Sequence, residues 1–191
     1  MPERQPPTAV RFGYIGQISP QKGVHTLVDA FLLNNFGETA QLHIYGNDKQ
    51  NPEYTQRLTD LLTGSTGGVT LHGPFSPDRL GEVLAGIDIL VAPSTWWENN
   101  PRVIQEAFAA KAPVIASDVA GIAEFVRHEV SGLLFERGDV SDLARQMRRI
   151  VEEPALMEQL RAGIPPVKTI EQEVGELIDI YEQVKGQVQH E

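Results

Sequence analysis

Short apolar runs alternate with amphipathic segments along most of the chain. Six of these runs are rich in Val, Ile, Leu or Phe, and four of them end at a glycine or at Pro-Ser, which predicts six buried strands. The runs cover residues 10–16, 42–46, 69–73, 88–93, 112–116 and 132–135. Segments of about 10–15 residues with apolar positions at helical spacing separate them. This alternation predicts an α/β fold, a parallel sheet with helices on both faces.

The helices between the strands have recognisable starts. The pattern predicts that they begin near residues 22, 52, 77, 101, 121, 139 and 154. The helix near residue 121 is expected to be short and to bury Ile122, Phe125 and Val126. Ligands of such folds bind beyond the carboxyl ends of the strands, where the glycines and the Pro-Ser pair stand.

The tail of the chain has a different pattern. After Pro165 and Pro166, one helical stripe is apolar; it contains Ile170, Val174, Leu177, Ile178, Tyr181 and Val184. An amphipathic helix of this kind packs its stripe on its own domain or on a second domain. We therefore divide the chain into a Rossmann-like domain at residues 8–164 and a C-terminal helix at residues 165–191.

Composition and charge exclude several classes of protein. The 191 residues are 41% hydrophobic and 22% charged, which is typical of a globular protein with a sizeable core. A net charge of −10 argues against nucleic acid as a partner. The chain has no cysteine, so disulfides and thiolate metal sites are excluded. No apolar run approaches the roughly 20 residues of a membrane span, and no signal peptide is recognisable. We expect a cytoplasmic protein, and the pattern leaves open a peripheral position at the inner membrane for the full-length protein.

Two glutamates flank the predicted helix start after the fourth strand. Glu98 lies in the loop and Glu106 about one and a half turns into the helix, with Pro101 at the first helical position. The amides of Arg102 and Val103 then lack intrahelical acceptors and point outward, which creates a phosphate site. A carboxylate on each side suits hydroxyl groups, and a molecule with sugars on both sides of a diphosphate is a nucleotide sugar. Glutamates at this spacing also occur by chance in many helices.

The loop after the first strand carries a second candidate phosphate site. Gly16 at the strand end allows a ligand to approach the backbone, and Lys22 at the next helix start offers a mobile charge. An ordinary βα turn with a solvated lysine explains these residues equally well. The dinucleotide fingerprint G-x-G-x-x-G is absent, so a nicotinamide or flavin dehydrogenase is not expected. His43 and His72 fall within strand patterns and are expected to be packed or hydrogen-bonded core residues, not metal ligands.

Taken together, these segments resemble the C-terminal, donor-binding domain of retaining GT-B glycosyltransferases of family 4 (glycosyl transferases group 1). The resemblance extends from about residue 12 to the end of the chain. It rests on the order and spacing of the segments at residues 16–23, 44–46, 71–73, 88–107, 113–118 and 131–135. The fold that it implies is half of a GT-B fold.

The resemblance implies a domain that binds a nucleoside-diphosphate sugar, whose sugar is transferred to an acceptor with retention of configuration. By position, Glu106 would hold the ribose hydroxyls and Glu98 those of the transferred sugar. The amides of Arg102 and Val103 would cradle the diphosphate together with Lys22.

Lys22 and Glu98 are the catalytic candidates that the resemblance implies. A fixed cation and fixed hydrogen-bond donors stabilise the leaving diphosphate, so no metal ion or other cofactor is expected. Gly16 would lie close beneath the diphosphate. Gln17 stands where the family commonly has a diphosphate-binding arginine, and Lys111 stands where a glycine is usual and is expected to be exposed. Loops on the side of the nucleotide base would contain Gly46, Asn47, Gly73 and Phe75.

A full GT-B enzyme also has an N-terminal domain that carries the acceptor site. The chain covers only the donor half, and its tail helix resembles the segment that crosses back to the missing half. We therefore expect donor binding and negligible transfer by this chain alone. Two alternatives are a non-catalytic nucleotide-sugar-binding module and a GT-B-fold sugar-nucleotide epimerase. Nothing in the sequence resembles the pyridoxal-phosphate site of a phosphorylase.

Overall fold

A computed structural model describes residues 9–47, 49–63 and 67–188, with side chains up to residue 185. The predicted domain limits at residues 8 and 191 lie outside the described residues. Six strands form one parallel sheet in the order β3-β2-β1-β4-β5-β6. The strands are β1 (Val10–Ile15), β2 (Ala40–Tyr45), β3 (Val69–Gly73), β4 (Ile89–Ala92), β5 (Val114–Ser117) and β6 (Gly132–Phe135). The predicted fold class and all six predicted strands are confirmed.

Helices cover both faces of the sheet. They are α1 (Val24–Asn34), α2 (Pro52–Thr63), α3 (Leu80–Ala85), α4 (Arg102–Ala109), α5 (Val140–Glu152), α6 (Pro154–Ala162) and α7 (Ile170–Val188). Single 3-10 turns at Pro20–Lys22 and Pro77–Arg79 precede α1 and α3. One buried cluster lies between the sheet and α1, α2, α5 and α6, and a second lies between the sheet and α3 and α4. The alternation of buried side chains along the strands supplies both clusters.

The short helix predicted near residue 121 is not present. Residues 119–126 form consecutive turns, with hydrogen bonds from the amides of Ile122 and Ala123 to the carbonyl of Val119. Gly121 has a φ of 84°, a left-handed conformation that interrupts a right-handed helix. The apolar residues Ile122 and Val126 are still buried, so the periodicity of this segment reflects packing and not a helix.

A hydrogen-bonded ion pair joins β1 to the start of β4. The backbone amide and the guanidinium group of Arg11 donate three hydrogen bonds of 2.8–3.0 Å to the Asp88 carboxylate. Asp88 is almost fully buried, and its hydrogen bond raises the pKa of Arg11 above the ordinary value. The two strands are thereby fixed side by side, and their carboxyl ends bring the loops that follow them together.

The apolar stripe of α7 does not pack on the domain. Each of its predicted members is 48% or more exposed, as is Ile180. Of the two arrangements that the sequence allows for this helix, packing on its own domain is not observed in the structure. None of the helices in the described part of the chain is both long and apolar enough to span a membrane.

The end of α4 contains a residue whose replacement is expected to stabilise the domain. Lys111 is exposed, as predicted, and has a φ of 58°. Its amide donates to Phe108 (3.0 Å) and the Ala112 amide donates to Ala107 (2.9 Å), which is the Schellman pattern that favours glycine at this position. We expect Lys111→Gly to raise the free energy of unfolding by about 0.5–1 kcal/mol in urea titrations. Lys111→Ala keeps the strained backbone, and an equal gain in that variant would contradict the explanation.

Candidate functional site

A cavity of about 330 Å³ opens at the carboxyl ends of β1 and β4. The order of strands in the sheet reverses between these two neighbours, and ligands of open α/β sheets bind at such a switch point. Six residues predicted from the sequence as ligand-binding line the cavity: Gly16, Gln17, Lys22, Glu98, Arg102 and Val103. Side chains that sequence reasoning did not select, among them Tyr14, Ser94 and Ile122, also line it.

The two catalytic candidates are in direct contact. Lys22 Nζ lies 2.5 Å from Glu98 Oε1, although the residues are 76 positions apart in the sequence. Both side chains are partly exposed to the cavity. The hydroxyl of the buried Ser94 lies 2.9 Å from the same oxygen of Glu98. A cation and a carboxylate are therefore held at one wall of the cavity in a defined arrangement.

The backbone before α1 fixes the position of Lys22. Its amide closes the 3-10 turn by donating to Ser19 (3.1 Å), and Gly23 follows with a φ of 68°. A Cβ atom at Gly23 would lie only 1.9 Å from the carbonyl oxygen of Pro93, so the two loops touch at this point. The Thr95 amide also donates to the carbonyl of Gln21 (2.8 Å). The loops that follow β1 and β4 are thus joined on both sides of Lys22.

The turns after β5 support Glu98 from behind. A Cβ atom at Gly121 would lie 1.5 Å from the Glu98 carbonyl oxygen, which shows how closely the two backbones approach. The Glu98 amide donates to the carbonyl of Ala120 at 3.4 Å. The left-handed backbone of Gly121 is therefore used to bring a third loop against Glu98.

The first turn of α4 offers a ligand fewer amides than the sequence predicts. Pro101 precedes the first helical residue, and its φ of −75° and ψ of 77° form an inverse γ-turn. The Arg102 amide donates to the Asn100 carbonyl (2.8 Å), so of the two amides expected to be open this one is engaged. Among the described residues, no backbone carbonyl accepts a hydrogen bond from the Val103 amide. One amide and the positive end of α4 therefore remain available to an anion.

Tyr14 forms the floor below the loop after β1. Its hydroxyl donates to the Gln17 carbonyl at 2.6 Å, and a Cβ atom at Gly16 would approach that hydroxyl to 2.9 Å. Burial raises the pKa of Tyr14 far above its ordinary value, so the phenol stays protonated and acts as a donor. A side chain at Gly16 would therefore crowd the Tyr14 hydroxyl, and the phenol leaves the cavity floor uncharged.

Comparison with known proteins identifies the family. A family model described as glycosyl transferases group 1 matches residues 9–153. The chain belongs to the group 1 glycosyltransferases. It is 29% identical over 153 residues to the 2-deoxystreptamine glucosyltransferase of Streptomyces kanamyceticus, which is 79% of this chain and 39% of that protein. It is 30% identical over 159 residues to a D-inositol 3-phosphate glycosyltransferase of Rhodococcus opacus, which is 80% of this chain and 35% of that protein.

The fold of this glycosyltransferase domain also matches solved structures. The structure of HepE from Anabaena, in complex with UDP and glucose, is similar with a TM-score of 0.78 and 25% sequence identity. The match covers 90% of this chain and 48% of that protein, so the chain spans less than half the length of these relatives. The prediction of an α/β half of a GT-B fold is confirmed.

Glu106 is the member of the predicted donor site of this glycosyltransferase that does not line the cavity. It lies in the middle of α4, is half-buried, and stands about one and a half turns from the loop that carries Glu98. Its proposed role toward a ribose remains a prediction. A ligand that reached both carboxylates would extend out of the cavity along α4.

The predicted base-side residues of the glycosyltransferase lie together beside the cavity but do not line it. The Gly46 amide donates to Gly73 (2.9 Å), and the Ile18 amide donates to the Asn47 carbonyl (3.2 Å). A Cβ atom at Gly46 would lie 1.8 Å from the carbonyl oxygen of Gly16, so this loop touches the one after β1. The ring of Phe75 packs edge-to-face on Tyr45, with ring centroids 6.0 Å apart. Their contact with a nucleotide base remains a prediction.

The two strand histidines contact each other. His43 Nδ1 lies 3.0 Å from His72 Nε2, and the ring of His72 stacks on Tyr45. Desolvation lowers the pKa of both histidines, so both are neutral near pH 7, and one ring N–H donates to the other ring. His72 is exposed, so the expectation of a core position is wrong for this residue. Within the described part of the chain, no three His, Cys, Asp or Glu residues are grouped for a metal.

Proposed function

We propose that this chain is the donor-binding half of a retaining glycosyltransferase of family 4. It would bind a nucleoside-diphosphate sugar whose sugar the whole enzyme transfers to an acceptor. The observation that carries the proposal is the contact of Lys22 with Glu98 at the wall of a cavity that adjoins the start of α4. A cation beside a helix N-terminus attracts a diphosphate, and a carboxylate beside that cation accepts hydrogen bonds from sugar hydroxyls.

The diphosphate is assigned to the space between Lys22 and the first turn of α4. The Lys22 ammonium group has three donors, and the bond to Glu98 uses one of them. The Val103 amide and the side chain of Gln17 can supply further hydrogen bonds from the cavity lining. When the bond between the sugar and the diphosphate breaks, these groups stabilise the negative charge of the leaving group without reorganising. This cation and these donors replace a metal ion in the proposal.

The two carboxylates have different roles in this proposal. Glu98, at the cavity, accepts hydrogen bonds from the transferred sugar, and Glu106, further along α4, accepts them from the ribose. The solved Anabaena structure that resembles this chain contains UDP and glucose, which supports a donor of the nucleotide-sugar class. The base-side loops would then meet the base next to Gly46 and Phe75.

The remainder of the enzyme would complete the acceptor site. The chain covers 35–39% of the length of the curated relatives described above, and α7 leaves its apolar stripe in solvent. We assign that stripe to an N-terminal domain onto which α7 crosses. The 191-residue chain is then expected to bind the donor and to show negligible transfer by itself. A robust transferase rate from the pure chain would contradict this assignment.

Calorimetric titration of the chain with UDP, GDP and ADP, and with the matching sugar nucleotides, tests the proposal directly. We expect one base to be preferred and its sugar nucleotide to bind at least as tightly as its diphosphate. The absence of binding by all six ligands to a folded chain would refute the donor-binding function. The epimerase alternative is tested by incubating a longer protein that contains the chain with donor and no acceptor. Formation of the epimer of the donor sugar would reveal an epimerase.

Two glutamate variants separate the proposed roles. Glu106→Ala should lower the affinities for the diphosphate and for the sugar nucleotide alike, by about tenfold or more, because each ligand loses the same charged acceptor at the ribose. Glu98→Ala should lower the affinity for the sugar nucleotide at least about tenfold more than the affinity for the diphosphate. Glu124→Ala removes an exposed glutamate of the 119–126 turns and is the matched control. Equal losses for both ligands in Glu98→Ala would refute the division of roles.

A further inference from the structure

A second cavity of about 310 Å³ adjoins the first one. It is lined by Gln21, Lys22, Ser94, Trp96, Trp97 and Glu98. Three of these residues, Lys22, Ser94 and Glu98, also line the first cavity, so the two cavities meet at the ion pair. The volume is at the lower end of the range of about 300–1,000 Å³ that is typical of ligand pockets, and it suits a single ring.

The second cavity differs from the first in its tryptophans. Trp96 and Trp97 are 67% and 69% exposed, and they are the only tryptophans in the chain. Two adjacent indole rings in solvent form an apolar surface, with an N–H group at the edge of each ring. The ammonium group of Lys22 and the carboxylate of Glu98 stand at the same cavity. Apolar ring faces beside a donor and an acceptor match a cyclic polyol, which has a C–H face and a rim of hydroxyl groups.

The loop that carries the two tryptophans is held on both sides. Before them, the Thr95 amide donates to the Gln21 carbonyl at 2.8 Å. After them, the Glu98 amide donates to the Ala120 carbonyl, and Gly121 packs on the Glu98 backbone. A ligand therefore meets a backbone that is already ordered, which lowers the entropy that binding must overcome.

We propose that the second cavity is an acceptor subsite, in which a sugar or cyclitol ring of the acceptor stacks on Trp96 and Trp97. The proposal rests on the proposed function, because it places the transferred sugar at Glu98. An acceptor hydroxyl must reach that sugar, and the second cavity shares Glu98 with the first. The wide exposure of the indoles leaves them open to an incoming ring while the first cavity holds a diphosphate.

The fluorescence of Trp96 and Trp97 itself reports ligand binding in the test. Intrinsic fluorescence and its quenching by acrylamide would be measured on the 191-residue chain, with and without saturating UDP, GDP or ADP. The probes are methyl α-D-glucopyranoside and myo-inositol, with linear sorbitol as the control for viscosity. We expect a saturable emission change and protection from acrylamide with at least one cyclic probe, with a midpoint on the order of millimolar, and neither effect with sorbitol.

Variants test whether the indoles make the contact. Trp96→Ala and Trp97→Ala each retain one fluorescent tryptophan. Each variant should lower the affinity for the cyclic probe at least about fivefold, and ligand-observed NMR would measure the same change independently. Tyr181→Ala removes an exposed aromatic side chain of α7 and should leave the midpoint unchanged. Calorimetry with the diphosphates should be unaffected by both tryptophan variants, because neither indole lines the first cavity.

Each outcome discriminates between explanations. Intact diphosphate binding without any effect of the cyclic probes would overturn the acceptor subsite and leave the proposed function standing. A tryptophan response to a sugar nucleotide, but to neither a diphosphate nor a free ring, would overturn it in favour of contact with the transferred sugar. Ring binding that depends on the tryptophans, in a chain that binds no diphosphate, would support the ring site and refute the proposed function.

Discussion

Replacement of Gly121 by alanine is expected to lower the free energy of unfolding by about 3 kcal/mol or more. The left-handed backbone at φ 84° costs an alanine about 1–2 kcal/mol. The new methyl group would also lie 1.5 Å from the Glu98 carbonyl oxygen, so the backbone of one loop has to move. That displacement carries Glu98, and recognition of the sugar nucleotide should weaken together with stability.

Gly138→Ala is the matched control for this prediction. Gly138 has a φ of 75°, and a Cβ atom at this position would meet no other atom within 4 Å. Its replacement isolates the backbone penalty, which is about 1–2 kcal/mol. The measurement is the urea dependence of unfolding for both variants and for the unaltered chain. Equal losses in the two variants would mean that the close approach of Gly121 to Glu98 contributes nothing.

The second large effect is expected for Lys22→Met, which should weaken binding of the preferred nucleoside diphosphate by about 10–100-fold. Methionine keeps most of the length of the side chain and removes the charge that faces the cavity. The variant also leaves the Glu98 carboxylate without its cation, so that it repels the diphosphate. Calorimetric titration measures the change, and Lys111→Met, at an exposed position on the far end of α4, is the control.

A double variant separates the two contributions of Lys22. In the Lys22→Met background, Glu98→Gln removes the uncompensated negative charge and should recover part of the lost diphosphate affinity. In the unaltered background, the same change removes a partner of Lys22 and should not improve binding to a similar extent. Strictly additive effects would show that the contact between the two side chains is unimportant for the ligand.

The sequence was sufficient to predict the sheet, because β4, β5 and β6 are continuous and largely buried apolar runs, whereas β2 and β3 alternate apolar with polar residues. Gly16, Lys22 and Glu98 could be placed in one site, because they follow strands whose carboxyl ends lie at the same edge. The pairing of Lys22 with Glu98 could not be predicted, since it depends on contacts between the loops after β1, β4 and β5. The spacing of residues along the sequence does not reveal contacts between loops.

Two incorrect predictions concern local backbone conformation. The segment at residues 119–126 has helical periodicity, but Gly121 adopts a conformation that serves its contact with Glu98. Pro101 is compatible with a first helical position and instead forms a γ-turn that engages the next amide. At Gly121 a tertiary contact overrides the local preference, and at Pro101 a local turn replaces the expected helical start. Trp96 and Trp97 carry no periodic signal in the sequence, and their exposure beside Glu98 becomes evident only in the structure.

The three loops that hold Lys22 and Glu98 meet only when β1, β4 and β5 pair in the sheet. An unfolded chain therefore has no residual version of the pocket, and any nucleotide that binds must do so to the native state alone. Thermodynamic linkage then converts affinity into melting temperature, at about 2.7 kcal/mol for a ligand present at 100 times its dissociation constant. A simple thermal-shift screen can thus rank bases and sugars before the acceptor is known.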